Sequence, residues 1–306
     1  METIKIKAPA TIANLVCGFD ILGMALKEPF DIMELRRSST KGVRIAHKDA
    51  FNLPTDPQQN IAGVVLLAAL EKVNADFGVE MIIDKHIRPG SGLGSSAASA
   101  AGAAVAINKL LDNVFSPKEL IELAMIGEAL ASGSRHADNI APCVFGGITL
   151  IRSLKDMDII SLPIPDVFVT VVHPHIEIKT SDARKILKQN IALKDAICQW
   201  GNVAALVAGI MKNDAALIGR SLEDVLIEPA RSILIPSFDE VKEKSILSGA
   251  LGGGISGAGP SVFMLSQTLE IAERVGKSMR EIYNRIGLPH EVYISGIASE
   301  GVSILS

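Results

Sequence analysis

The chain reads as a two-domain α+β protein, and three features of the sequence predict that class. A strand-like segment, Met81 to Ile87, leads through the glycine-rich turn Pro89 to Gly94 into an alanine-rich stretch, Ala97 to Leu111, that favours helix. A second glycine stretch, Gly252 to Ser261, lies between two further strand-like segments, Ala250–Gly254 and Ser261–Leu265. Between these halves, Ser153 to Pro165 is polar and proline-bearing, as a divide between domains should be. The expected domains are residues 1–158 and 159–306. The first is a set of mixed strands around the alanine helix, the second an α/β sandwich on a mostly antiparallel sheet.

Taken in order, Ile4, Ile6 and Ala8 alternate with Lys5 and Lys7, which predicts a half-buried strand ended by Pro9. Ala10 to Asp20 is neither periodic nor very polar. It predicts an ordered loop in which Asn14 and Asp20 are either turn-formers or binding residues. Asp31–Arg37 and Val43–Ala46 read as strands, and Asn60 as the cap of an apolar helix beginning at Ile61. Ser116-Pro117-Lys118-Glu119 is a capping box with proline at the first helical position. The helix it opens should run to about Ala131, with Glu128 near its buried side and Glu122 facing water. A polar loop, Ser132 to Asn139, precedes a strand over Phe145–Ile151. In the second half, Val167–His173 reads as a strand and Thr180 as a helix start. Asp195–Met211 reads as a long buried helix, and Glu228–Arg231 as the end of another. Leu269–Ile286 reads as a helix and Glu291–Ile297 as the last strand.

Composition excludes several function classes. The chain has 306 residues, 48% hydrophobic and 4% aromatic, so its cores rest on aliphatic side chains. A net charge of −4 gives no broad electrostatic footprint for nucleic acid. Three widely spaced cysteines predict a reducing compartment, and the opening Met1-Glu2-Thr3-Ile4-Lys5 lacks a signal-peptide core. No uncharged apolar run approaches the ~20 residues that span a bilayer, so a cytoplasmic protein without a membrane partner is expected. His173 and His175 could share a strand face, but no third metal ligand is near them.

A glycine turn at a helix N-terminus lets backbone N–H groups converge on an anion, and the helix end adds about half a positive charge. The turn is not the common P-loop, because no lysine follows its last glycine. Gly92-Leu93-Gly94-Ser95-Ser96-Ala97 matches a loose dinucleotide fingerprint, with Asp112 at nearly the right distance. That acid, however, should close a second strand, and only helix-like sequence precedes it. A glycine turn with no ligand is the remaining alternative. Phosphate binding fits best.

Three features now stand together: the loop with Asn14 and Asp20, the central Pro-x-x-x-Gly-Leu-Gly-Ser-Ser-Ala, and the late Gly257-Ala258-Gly259-Pro260-Ser261. This arrangement resembles the GHMP small-molecule kinases. Lys7 to Thr11, Ala13-Asn14-Leu15, Gly18-Phe19-Asp20, Thr55-Asp56-Pro57, Asn60, His136 to Asn139 and Ile227 to Arg231 resemble in particular the members that phosphorylate homoserine. The resemblance implies the two-domain GHMP kinase fold: a ribosomal protein S5 domain 2-like first domain, a ferredoxin-like second domain, and an active site in the crevice between them. It implies ATP and Mg²⁺ as cofactors, L-homoserine as substrate and a homodimer. Pro89, Gly90, Ser91, Gly92, Leu93, Gly94, Ser95 and Ser96 would wrap the triphosphate, with adenine beside Asn60 and Ile61. Ser96 and Glu128 would hold the metal. Asp20 with Asn14 would meet the substrate ammonium, and Arg184 and Arg231 its carboxylate. His136 and Asn139 would lie near the reacting hydroxyl, and Thr180 at the phosphoryl oxygens. Asn139 cannot take a proton, so no dedicated base is expected in that loop, with His136 or Asp20 as the fallback. The rivals are a mevalonate- or shikimate-type kinase of the same family, or a sensor that binds without turnover. The chain departs from the family pattern at Ile12, where a small hydroxyl residue is frequent, at Val16, where glycine is common, and at Ala258, where serine is frequent.

Overall fold

The computed structural model describes residues 3–133 and 135–305; Met1 and Glu2, Ser134 of the polar loop, and Ser306 lie outside the described residues. The first half runs β1 (Thr3–Ala13), β2 (Leu22–Ser38), β3 (Gly42–His47), α1 (Ile61–Lys72), β4 (Gly78–Asp84), α2 (Ser95–Leu110), α3 (Pro117–Ser132), α4 (Ile140–Phe145), β5 (Ile148–Ser153) and β6 (Asp158–Leu162). The second half runs β7 (Phe168–Pro174), α5 (Thr180–Lys185), α6 (Leu193–Lys212), α7 (Ala215–Ser221), α8 (Glu228–Arg231), a 3₁₀ turn at Ser232–Leu234, and α9 (Phe238–Leu247). It ends with β8 (Gly252–Ile255), β9 (Val262–Ser266), α10 (Leu269–Arg285), β10 (His290–Gly296) and β11 (Ser303–Ile304).

Among the described residues the strands form two sheets. The first has the order β11-β1-β2-β4-β3, with β5 joined to β2 and β6 to β5. All its pairings are antiparallel except β3 with β4. The second, β10-β7-β9-β8, is antiparallel throughout. Helix α2 lies across the first sheet, and its run of alanines lets α1 and α3 pack close beside it. Asn60 caps α1 by accepting a hydrogen bond from Gly63 N at 3.0 Å, and Ser116 opens α3 with the full capping box. Helix α10 covers the second sheet through Ala272, Val275, Met279 and Tyr283. After β10 the chain returns to the first domain, where β11 pairs with β1.

The structure revises four expectations. Pro9 does not end β1: the register shifts between Pro9 and Thr11, a bulge that spares the ladder a missing N–H, and pairing resumes from Thr11 to Ala13. Helix α6 is amphipathic rather than buried, since Leu193, Ile197, Trp200 and Met211 are all more than half exposed on its outer face. Glu228–Arg231 forms a short helix of its own instead of ending one. The expected 158/159 divide falls at the first residue of β6, so the first sheet extends to Leu162.

Candidate active site

A crevice of about 410 Å³ opens where the two domains meet, within the size range of small-molecule sites. One wall is the glycine turn and the start of α2. Gly90, Gly92 and Gly94 all have positive φ, at 72°, 81° and 66°. A Cβ at Gly92 would lie 2.6 Å from Gly259 O and 2.7 Å from Ser256 O, and one at Gly94 only 1.9 Å from Thr11 Oγ1. The turn is thus seated on the second glycine stretch. Ser256 Oγ donates to Gly92 O at 2.7 Å, and Ser261 Oγ to Ser91 O at 2.6 Å. Ala98 N bonds back to Gly94 O, so the amides of Ser95, Ser96 and Ala97 precede the first intrahelical bond and are open to an anion.

Ser96 Oγ donates to Glu128 Oε2 at 2.8 Å across the α2–α3 interface. A hydroxyl and a carboxylate side by side at the N-terminal end of α2 are oxygen donors of the kind that suit a hard cation. No cluster of three or more His, Cys, Asp or Glu side chains placed to hold a metal exists among the described residues.

The opposite end holds charge. The loop after β1 is bent by left-handed residues, Asn14, Leu15, Val16 and Asp20. Asn14 Oδ1 accepts from Asp20 N at 3.0 Å, while its Nδ2 donates to Gly257 O at 3.0 Å, tying the loop to the second domain. Arg184, from α5, grips Asp20 through both terminal nitrogens at 2.8–3.1 Å. Arg231 is buried and donates to Ala183 O and Gly257 O, both at 3.1 Å. Burial first, then the neighbouring Arg184, lowers its pKa to about 10. Both guanidinium groups lie over the Phe19 ring, 5.1 and 5.0 Å from its centroid. His136 Nδ1 is 3.7 Å from Asp20 Oδ1, and its buried Nε2 has no partner. Burial holds the His136 pKa below its ordinary range, outweighing the pull of Asp20. Asn139 Oδ1 is taken by the Thr11 hydroxyl at 2.7 Å.

The crevice therefore brings together Asn14, Asp20, Ile61, Pro89, Gly90, Gly92, Gly94, Ser95, Ser96, Glu128, His136, Asn139, Thr180, Arg184 and Arg231. Three expected residues do not line it. Asn60 is buried, its oxygen capping α1 and its Nδ2 donating to Pro54 O and His47 Nε2; Leu53 and Ile61 supply the apolar wall instead. The side chains of Ser91 and Leu93 point into the protein, with Ser91 Oγ accepting from Leu93 N. Asp20, expected to face a substrate ammonium, is held by Arg184 in this structure. Thr11, Phe19 and Asp138 lie in segments that carry the family resemblance without an expected role of their own, and Lys85 lies outside them; Phe19, Lys85 and Asp138 line the crevice. Asp138 is the most consequential: it lines the crevice, and burial, Asp20 and Glu128 raise its pKa to about 7. Its signal in the sequence is its place inside His136 to Asn139, a segment that carries the family resemblance.

Comparison with known proteins agrees with this geometry. The family model for the GHMP kinases N terminal domain matches residues 60–147, and that for the GHMP kinases C terminal region matches 205–285. A homoserine kinase of Chlorobium phaeobacteroides is 44% identical over the whole of both chains. The crystal structure of homoserine kinase from Cytophaga hutchinsonii is 47% identical and superposes with a TM-score of 0.95, covering 100% of this chain and 98% of that one. A mevalonate kinase of L. major, at 16% identity and a TM-score of 0.72 over 96% of each chain, shares the fold alone. Likeness along the entire length, on a shared two-domain frame, makes this chain a member of the homoserine kinase family of GHMP kinases.

Proposed function

We propose that the protein transfers the γ-phosphoryl group of ATP to the side-chain hydroxyl of L-homoserine, giving O-phospho-L-homoserine and ADP. The observation that carries this reading is the pairing of two unlike ends in one crevice. At one end are the open amides of α2; at the other are a carboxylate, Asp20, and two guanidinium groups, Arg184 and Arg231. The amides suit the phosphates of ATP, and the charged end suits the ammonium and carboxylate of an amino acid. Substrate entry would exchange the Asp20–Arg184 pair for two new ones, ammonium on Asp20 and carboxylate on the paired arginines.

In the reaction the homoserine oxygen bonds to the γ-phosphorus as the bond to the β-phosphate oxygen breaks and ADP leaves. Ser96 and Glu128 would hold Mg²⁺, which would supply charge neutralisation at the phosphate oxygens. The chain's own groups position the two substrates and exclude water. A loose transition state needs little early removal of the hydroxyl proton, so positioning carries most of the rate. His136, whose pKa is held down by burial and whose buried Nε2 has no partner, and Asp20 beside it are the fallback groups for that proton. Asn139 holds its side chain with Thr11 and takes no proton. The same family reading supports a homodimer and a cytoplasmic location, and no helix among the described residues is long and apolar enough to cross a membrane.

A coupled ADP-release assay with L-homoserine, mevalonate and shikimate tests the proposal. Mevalonate and shikimate lack an ammonium and leave Asp20 without its cation. Turnover with homoserine alone is expected; equal turnover with either of the others contradicts the assignment, and none with any acceptor favours the sensor.

A further inference from the structure

Beneath the glycine turn lies a buried network of charged and hydroxyl side chains. Lys85 follows β4, and Asp31 lies on β2; their side chains are 2% and 0% exposed and meet at 2.5 Å. An ammonium has three protons, and all three of Lys85 are spent: on Asp31 Oδ2, on Ser95 O at 3.1 Å and on Ser99 Oγ at 2.9 Å. The other oxygen of Asp31 accepts from the backbone N–H groups of His86 and Ile87, at 2.8 and 2.9 Å. Ser95 Oγ closes the circuit by donating to Ile87 O at 2.8 Å.

The two ends of the turn, Ile87 on the strand side and Ser95 on the helix side, are thus held by one ion pair. Asp31 grips the entry and Lys85 the exit. Because Lys85 has no proton left over, it offers no direct hydrogen bond to a ligand in the crevice. We infer that Asp31 and Lys85 are positioning residues, a buried latch that fixes the span of the Arg88–Gly94 turn and so the convergence of its amides on nucleotide phosphate. The inference rests on the reading that this turn receives phosphate.

Single removal of either charge leaves its partner buried and unpaired, which strongly destabilises a fold. The informative variants are therefore the double substitution Asp31→Asn with Lys85→Met, which keeps an oxygen for the His86 and Ile87 amides, and Ser99→Ala, which removes one Lys85 contact and keeps the ion pair. Binding of ADP and of adenosine is measured by calorimetry on the full chain. In the wild type ADP binds far more tightly than adenosine; equal binding would refute the phosphate reading itself. In the folded double variant ADP affinity falls by about tenfold or more while adenosine affinity holds, because a charged hydrogen-bond network is lost beneath the phosphates only. For Ser99→Ala a fall of roughly two- to fivefold for ADP, again without change for adenosine, is expected. If the wild type discriminates and the double variant does so equally, the latch is only a packing feature and the inference fails. Should the double variant not fold, unchanged ADP affinity in Ser99→Ala overturns it.

Discussion

Asp138 is buried wholly within the first domain, and the carboxylates of Asp20 and Glu128 act on it through space. Its pKa rises from the ordinary 3.8 to about 7, chiefly through burial. A raised folded pKa favours the protonated form, so the stability linked to Asp138 is fully present below pH 3.8 and is lost as pH climbs through about 7. Asp138→Asn removes this dependence. Between pH 5 and 7.5 the variant should gain on the order of 2 kcal/mol over the wild type, read from urea unfolding at a series of pH values. A difference that stays constant with pH would contradict the account. His136 runs the other way: its lowered pKa favours the neutral ring, and the stability it adds is lost as pH falls below about 6.5. At this scale the sequence told residue types better than partners. Asp20 and Arg184 were both legible as charge carriers, yet nothing 164 positions apart in the chain announces that they bond to each other. Asn60 was legible as a helix cap, and that role takes up its side chain, while Ile61 beside it lines the crevice. Val16, where the family commonly has glycine, keeps the left-handed bend at φ 66°, a strained conformation for a β-branched residue.

Helices with strong local signals were the most legible elements. The capping box of α3 forms as written, with Ser116 Oγ accepting from Glu119 N and the Glu119 carboxylate accepting from Ser116 N. Lys72 and the Ser116 contacts pull the Glu119 pKa down to about 2. Because α3 carries Glu128 to the crevice from its far end, the cap acts on stability and not on chemistry. Ser116→Ala should lower unfolding free energy by about 1 kcal/mol, seen as a lower urea midpoint with kcat unchanged. No shift in midpoint would show that the cap is redundant. Helices α7 and α9 and strand β6 escaped notice for a physical reason. They are short, and β6 has two exposed positions in five residues, so periodicity has little to register. The hydrophobic content of α6 predicts burial, yet Leu193, Ile197 and Trp200 lie on its solvent side, because apolar content alone does not say which face packs.

At the scale of the whole molecule, the two glycine stretches are one device. The sequence showed both but could not show that they touch. Contact between Gly92 and the Ser256–Gly259 carbonyls requires hydrogen at Gly92 Cα, and that contact welds the glycine turn of the first domain to the second. Asn14 and Arg231 both donate to Gly257 O, so the charged end of the crevice is fixed to the same seam. The network of Asp31, Lys85 and Ser95 braces the seam from beneath. If this seam holds nucleotide phosphate at one end and an amino acid at the other, a crystal structure with a non-hydrolysable ATP analogue and L-homoserine will show phosphate oxygens on the amides of residues 95–97. It will also show the substrate ammonium on Asp20, and its carboxylate on Arg184 and Arg231 with the Asp20–Arg184 pair opened. Nucleotide bound elsewhere with the turn empty, or homoserine seated away from both arginines, would contradict it.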